Sequence, residues 1–161
     1  MTRQTGRVRL YLPATLDDLE PAADGAVTLT PRVAHAVTPA LRAALPDEDD
    51  EGLEFSAHLA AADASLALLG ASTQAPPLRL VVTVDVPSDS VLVPDDADAE
   101  PSAVRLLAPV GRDAVACVHV DEPVTGADVR AALAGDQAAA ERVAEADLLW
   151  YDVAELEEIP R

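Results

Sequence analysis

The residues with chemistry to offer are three histidines, one cysteine and a cluster of arginines near the N-terminus. In the segment CVHVDEP, His119 and Asp121 stand two apart, so on an extended chain they share a face with Cys117. A neutral imidazole beside a carboxylate is the unit of many acid–base and metal sites. His35, in AHAVTP, falls on another extended piece, and His58 falls within a helical stretch. If the histidines converge with Asp85 or Asp121, a hydrolytic or metal centre becomes possible, so His35, His119 and Asp121 are the candidate catalytic residues. Their spacing fits neither HExxH nor the zinc-deaminase pattern, and no metal ligand set is assigned. Cys117 lies in an apolar run without an adjacent base to lower its pKa, and reads as a small core residue rather than a nucleophile.

Arg7, Arg9 and Tyr11 alternate with apolar residues and so share the polar face of a strand. Positive charge is scarce in this chain, which makes them the candidate ligand-binding set, for an anionic ligand or a partner's acidic motif. The plainer reading is cross-strand pairing with the chain's own carboxylates. The acidic runs Asp47–Glu51 and Asp95–Glu100 lack the register of a calcium loop, with its Gly at position six and Glu at twelve, and read as solvated loops. No GxxxxGK[ST], strand-borne GxGxxG or GxSxG occurs, so P-loop, Rossmann and α/β-hydrolase chemistry lack their key residues.

These groups depend on a scaffold for their placement. The segment Leu78–Pro87, LRLVVTVDVP, is the organising strand. Leu78, Leu80, Val82, Val84 and Val86 give a wholly apolar face, and the other face is mixed, reaching water at Arg79 and Asp85. Further strands are read over Arg7–Leu12, Val27–Thr30, Val33–Val37, Val104–Leu107, Ala114–Val120 and Leu148–Val153. Helices are read over Ala40–Leu45, started by Thr38-Pro39, over Ala127–Ala134, and from Asp136 to about Ala146. The longest spans Leu53–Leu69, with Phe55, Leu59, Ala62, Leu66 and Leu69 as its apolar stripe and Gly70 at its C-terminal cap. Mixed order without βαβ alternation implies an α+β fold. The expectation is a single compact domain over residues 7–159, with a mixed, mostly antiparallel sheet of about five to six strands covered by the long helix and shorter ones, and a flexible lead-in over 1–6.

Composition narrows function. At 161 residues and 50% apolar the chain can bury a core, although 33 residues are alanine and Leu and Val must carry the packing. A net charge of −18 repels nucleic acid and anionic lipid, and 2% aromatic residues argues against base-stacking modules. One cysteine excludes an internal disulfide. The N-terminus lacks an apolar signal core and no run is long enough for a membrane span, so a cytoplasmic location is expected.

The segments RLYLPATLDDL, AHAVTPALRAALP, GLEFSAHLAAADASLALL, RLVVTVDVPSDSV, VACVHVDEP and DLLWYDVAELEEI, in this order, resemble a small actinobacterial family known only as a domain of unknown function. That resemblance implies one cytoplasmic domain and supplies no activity to carry over. The element order also resembles small proteins on the ADP-ribosyltransferase-like fold, which would imply NAD, although that fold's NAD-binding signature is absent. The expected function is a non-enzymatic binding or interaction module for a protein or small ligand, with no cofactor, nucleic acid or membrane partner. The alternative is a small enzyme built on His35, His119 and Asp121.

Overall fold

The structure is a computed structural model and describes residues 6–161. The expected lead-in over 1–6 therefore lies, apart from Gly6, outside the described residues. The first alternating segment forms β1 (Arg7–Ala14), which is followed by a capped 3-10 turn over Leu16–Leu19. Two short strands, β2 (Thr28–Leu29) and β3 (Val33–His35), lead to α1 (Pro39–Ala44). The Thr38 hydroxyl caps α1 by accepting from the Leu41 N–H, with proline at the first helical position. The long helix α2 (Asp50–Gly70) starts at Asp50 rather than Leu53. Asp49 caps it, accepting from the Gly52 N–H, and Asp50 and Glu51 occupy its positive end, so the first acidic run is half loop and half helix start.

The chain continues through β4 (Leu80–Pro87), β5 (Val91–Leu92), β6 (Ala103–Leu106), β7 (Val110–Gly111) and β8 (Val115–Asp121). Helix α3 (Gly126–Leu133) ends before Gly135, whose φ of +99° needs glycine, and Asp136 caps α4 (Gln137–Glu145). Strand β9 (Leu148–Asp152) and a 3-10 segment over Val153–Glu158 close the fold.

The main sheet has seven strands, in the order β5-β6-β3-β1-β4-β8-β9, and every pairing is antiparallel. This exceeds the expected five to six because β5, at two residues, is too short to show a period. A separate ribbon pairs β2 with β7. β6 and β8 do not form a hairpin: β6 sits between β5 and β3, and β8 between β4 and β9. The fold is one α+β domain, and no described helix is long and apolar enough to cross a membrane.

β4 is flanked by β1 and β8, and its apolar face, Leu80, Val82, Val84 and Val86, lies in the main core with Leu10, Leu12, Val118 and Val120. That core is closed by Leu16, Leu19, Leu29, Val110, Leu156 and Ile159, from turns, the ribbon and the C-terminal segment. The helix α2 packs on the other, mixed face, over β1, β3 and β4. Arg79, expected at water, is therefore 4% exposed.

The stripe expected on α2 is buried only in its C-terminal half, at Ala62 and Leu69 with Leu66 partly covered. Leu53, Ala57, Ala61, Ala62, Ser65 and Leu69 face inward, while Phe55 is 61% and Leu59 45% exposed. Small residues let the helix lie close on the sheet. The Ser65 hydroxyl fixes that approach, donating to the Ala14 carbonyl at 2.7 Å and accepting from the Leu80 N–H at 2.9 Å.

Candidate functional site

Seven antiparallel strands span about 29 Å, whereas one helix is roughly 10–12 Å wide. Because α2 sits over β1, β3 and β4, the face is left open toward β8 and β9. The opening is a groove of about 550 Å³ between the N-terminal half of α2 and the corner where α4 passes into β9. Its floor is Tyr11, Arg79 and His119. One wall is Glu54, Phe55, His58 and Leu59, and the other runs from Ala144 to Leu148.

Two imidazoles meet at the base of this groove. The ring centroids of His58 and His119 are 4.5 Å apart with planes at 75°, and Tyr11 meets His58 edge-on at 5.8 Å. His58 Nε2 and His119 Nδ1 are both buried and neither has a hydrogen-bond partner. Burial, then the neighbouring His119, then Arg79, push the His58 pKa down to about 4. Burial lowers that of His119 as well. Both rings are thus held neutral at neutral pH, and each offers an uncommitted nitrogen. Burial, reinforced by Glu54, raises the Tyr11 pKa, so its phenol keeps its proton.

The cation in the floor is already paired. Arg79 Nε and Nη2 donate to Asp121 Oδ2 and Oδ1 at 2.9 and 2.7 Å, and the Arg79 backbone N–H donates to Oδ2 at 2.8 Å. Nη2 also reaches the Ala146 carbonyl at 3.2 Å, tying the α4–β9 corner to the sheet. Both side chains are almost wholly buried. Such a pair stands only because its geometry is bidentate and further hydrogen bonds serve both partners.

The residues singled out by the sequence share the helix-side face but do not form one cluster. His119 and Tyr11 line the groove. Asp121 faces Arg79, so the imidazole–carboxylate unit read from CVHVDEP does not form. Residues two apart on a strand are roughly 6.6 Å apart along it, and Arg79 takes the carboxylate. His35 opposes Tyr11 in register and is three strands from His119 in the sheet order, roughly 14 Å at ordinary strand spacing. Its Nδ1 lies 2.8 Å from the Ser102 hydroxyl, and burial lowers its pKa.

Arg9 forms a bidentate pair with Asp85, Nε and Nη2 to Oδ1 and Oδ2 at 3.0 Å, and this hydrogen-bonded partner holds the Asp85 carboxyl below its ordinary value. Arg7 donates to the Asp85 carbonyl at 2.9 Å. Both arginines thus engage the chain's own β4, outside the groove lining. Cys117, read as a core residue, is only half-buried, two register rows from His119. Between Thr83 and Val84 the β4–β8 register shifts, so Val115 opposes Val84 and joins the apolar core.

His58 is the groove residue that sequence reasoning did not select. Its signal was faint: it follows Ala57 on a helix whose small residues Ala57, Ala61 and Ser65 recur every four positions. Among the described residues no three of His, Cys, Asp and Glu gather closely enough to hold a metal ion. A family model described as a family of unknown function matches residues 8–159. No curated protein and no solved structure matches the chain.

Proposed function

The chain belongs to that family of unknown function, DUF6912, and we propose a function from the groove itself: the protein is a small-ligand-binding module. The observation that carries this reading is the pair of buried, unpartnered nitrogens on His58 and His119, at the base of a 550 Å³ groove walled by exposed Phe55 and Leu59. Buried polar atoms are ordinarily satisfied, and leaving one unmade costs about 1–3 kcal/mol. A ligand with an apolar body and one or two hydrogen-bonding groups would cover the apolar wall and, with a turn of either ring toward the groove, satisfy these nitrogens.

Binding is favoured over catalysis by the same two rings. An imidazole with a pKa of about 4 is a weak base at neutral pH and is almost never protonated to act as an acid. Asp121, which could have raised the basicity of His119, is committed to Arg79. A dinucleotide such as NAD, with its two phosphates, is disfavoured by the acidic rim of Glu51, Glu54, Glu145 and Asp147. The net charge of −18 and the lone cysteine support a cytoplasmic setting and a partner other than nucleic acid or anionic membrane.

The test is a fragment screen followed by NMR of the histidine rings. Fragments that bind should move the His58 and His119 ring signals together and leave His35 unmoved. Replacing either groove histidine by alanine should weaken binding roughly 2- to 12-fold, the equivalent of one hydrogen bond of about 0.5–1.5 kcal/mol. A library that perturbs neither ring, or binders unaffected by both substitutions, would sink the reading.

A further inference from the structure

The chain is poor in aromatic groups, with one Phe, two Tyr, one Trp and three His in 161 residues. Yet the groove collects Phe55, Tyr11, His58 and His119, and Trp150 is His119's register partner on the next strand. Random placement of so few rings would not line one cavity with four of them. Phe55 is also displayed at a cost, since an apolar ring left 61% exposed forgoes most of its burial energy. The groove therefore offers aromatic surface to whatever enters it, most of it from the exposed Phe55.

The charge around that surface has one sign. Four carboxylates, Glu51, Glu54, Glu145 and Asp147, line the groove, and among the described residues none makes a salt bridge. The one cation in the lining, Arg79, is neutralised by Asp121 beneath it. The π-faces themselves carry negative quadrupoles, and neutral imidazoles add no positive charge to oppose them.

We propose that the ligand of this groove is an amphiphilic organic cation, an ammonium group on an apolar body, held against the rings of Phe55 and His58 with the acidic rim around its charge. This rests on the small-ligand reading above and adds the sign of the ligand's charge. Aromatic surface attracts an ammonium ion directly, and a carboxylate rim both steers it and supplies the counter-charge. The apolar body covers Leu59 and Leu148. Anions meet four carboxylates, and neutral ligands gain only the apolar contact.

Matched probes separate charge from shape. Choline and its neutral isostere 3,3-dimethylbutan-1-ol, with phenethylamine, 2-phenylethanol and phenylacetate, are titrated against the full chain while the histidine ring and groove amide signals are followed. Each cation should bind at least ten-fold more tightly than its neutral counterpart, phenylacetate should bind most weakly, and the preference should shrink as NaCl is raised. Phe55→Ala should weaken the cations severalfold, and because Phe55 is largely exposed the variant should fold normally. The double variant Glu54→Gln/Asp147→Asn should narrow the gap between charged and neutral probes without abolishing binding of the neutral ones. If neutral or anionic probes bind as well as the cations, this inference fails and the small-ligand reading stands. The cation inference fails alone, too, if all five probes leave the groove unmoved while fragments from the screen occupy it. If the screen also finds nothing, both fail.

Discussion

His58 carries the most chemical information of any single residue, because its environment forbids its charge. Its pKa, near 6.5 in an unfolded chain, falls to about 4 in the fold through burial, His119 and Arg79. Between those values the unfolded chain binds more protons than the folded one, so stability rises with pH across this window. The contribution is complete above pH 6.5, is lost as pH falls toward 4, and is constant below that. Because the ring is only partly buried, we expect a loss of roughly 1–3 kcal/mol rather than the full shift. Urea unfolding of the native chain and His58→Gln at pH 7, 5.5 and 4 checks this: the stability difference between them should move in favour of the variant as pH falls. A difference that does not vary with pH would contradict it. Residue identity alone could not show this, since His58, His35 and His119 look alike until their partners are known. Tyr11 and His119 were each legible as residues on one face of their own strand, whereas their meeting in the groove and the loss of Asp121 to Arg79 depended on which strands lie side by side.

The long helix shows how far periodicity reaches. Its existence and approximate length follow from local sequence, but α2 runs from Asp50 to Gly70, so Asp50 and Glu51, read as loop, form its first turn and Gly70, read as the cap, is its last residue. Its orientation does not follow from local sequence. Large side chains weight an apolar stripe toward Phe55 and Leu59, but the sheet accepts the face that lets the helix come closest, which is the alanine and serine face. Ser65 is the contact that fixes this docking, bridging the Ala14 carbonyl and the Leu80 N–H. Ser65→Ala should cost about 1–3 kcal/mol, the penalty for orphaning buried backbone groups, with little change in the slope of urea unfolding. A loss below about 0.5 kcal/mol, as at an ordinary surface position, would show that small-residue packing alone holds the helix in place. The orientation also has a functional effect, because it turns Phe55 and Leu59 outward and makes them a groove wall.

For the molecule as a whole, 29 acidic residues against 11 arginines leave a self-repelling surface. Salt screens that repulsion, and it also weakens exposed pairs such as Arg9–Asp85 and Arg142–Asp128, which solvent already screens. The excess of like charge outweighs them, so the melting temperature should rise as NaCl goes from 10 mM to 500 mM and the screening length falls from about 30 Å to roughly 4 Å. A flat or falling melting temperature would mean that the ion pairs dominate. Local sequence was enough to set the class of fold, a central strand read over Leu78–Pro87 and found over Leu80–Pro87, the caps at Thr38 and Asp136, the turn at Gly135, and the acidic character of the surface. These depend on stereochemistry, alternation and charge count, which neighbouring residues carry with them. Long-range packing was needed to place β1 and β8 beside β4, to choose the face that α2 covers, and to bring Arg79 and Asp121 together in the interior. The same packing stands two histidines 61 positions apart ring to ring beside a tyrosine. Those outcomes depend on strand order and on how one narrow helix sits on a wide sheet, relations between distant segments that no local pattern encodes.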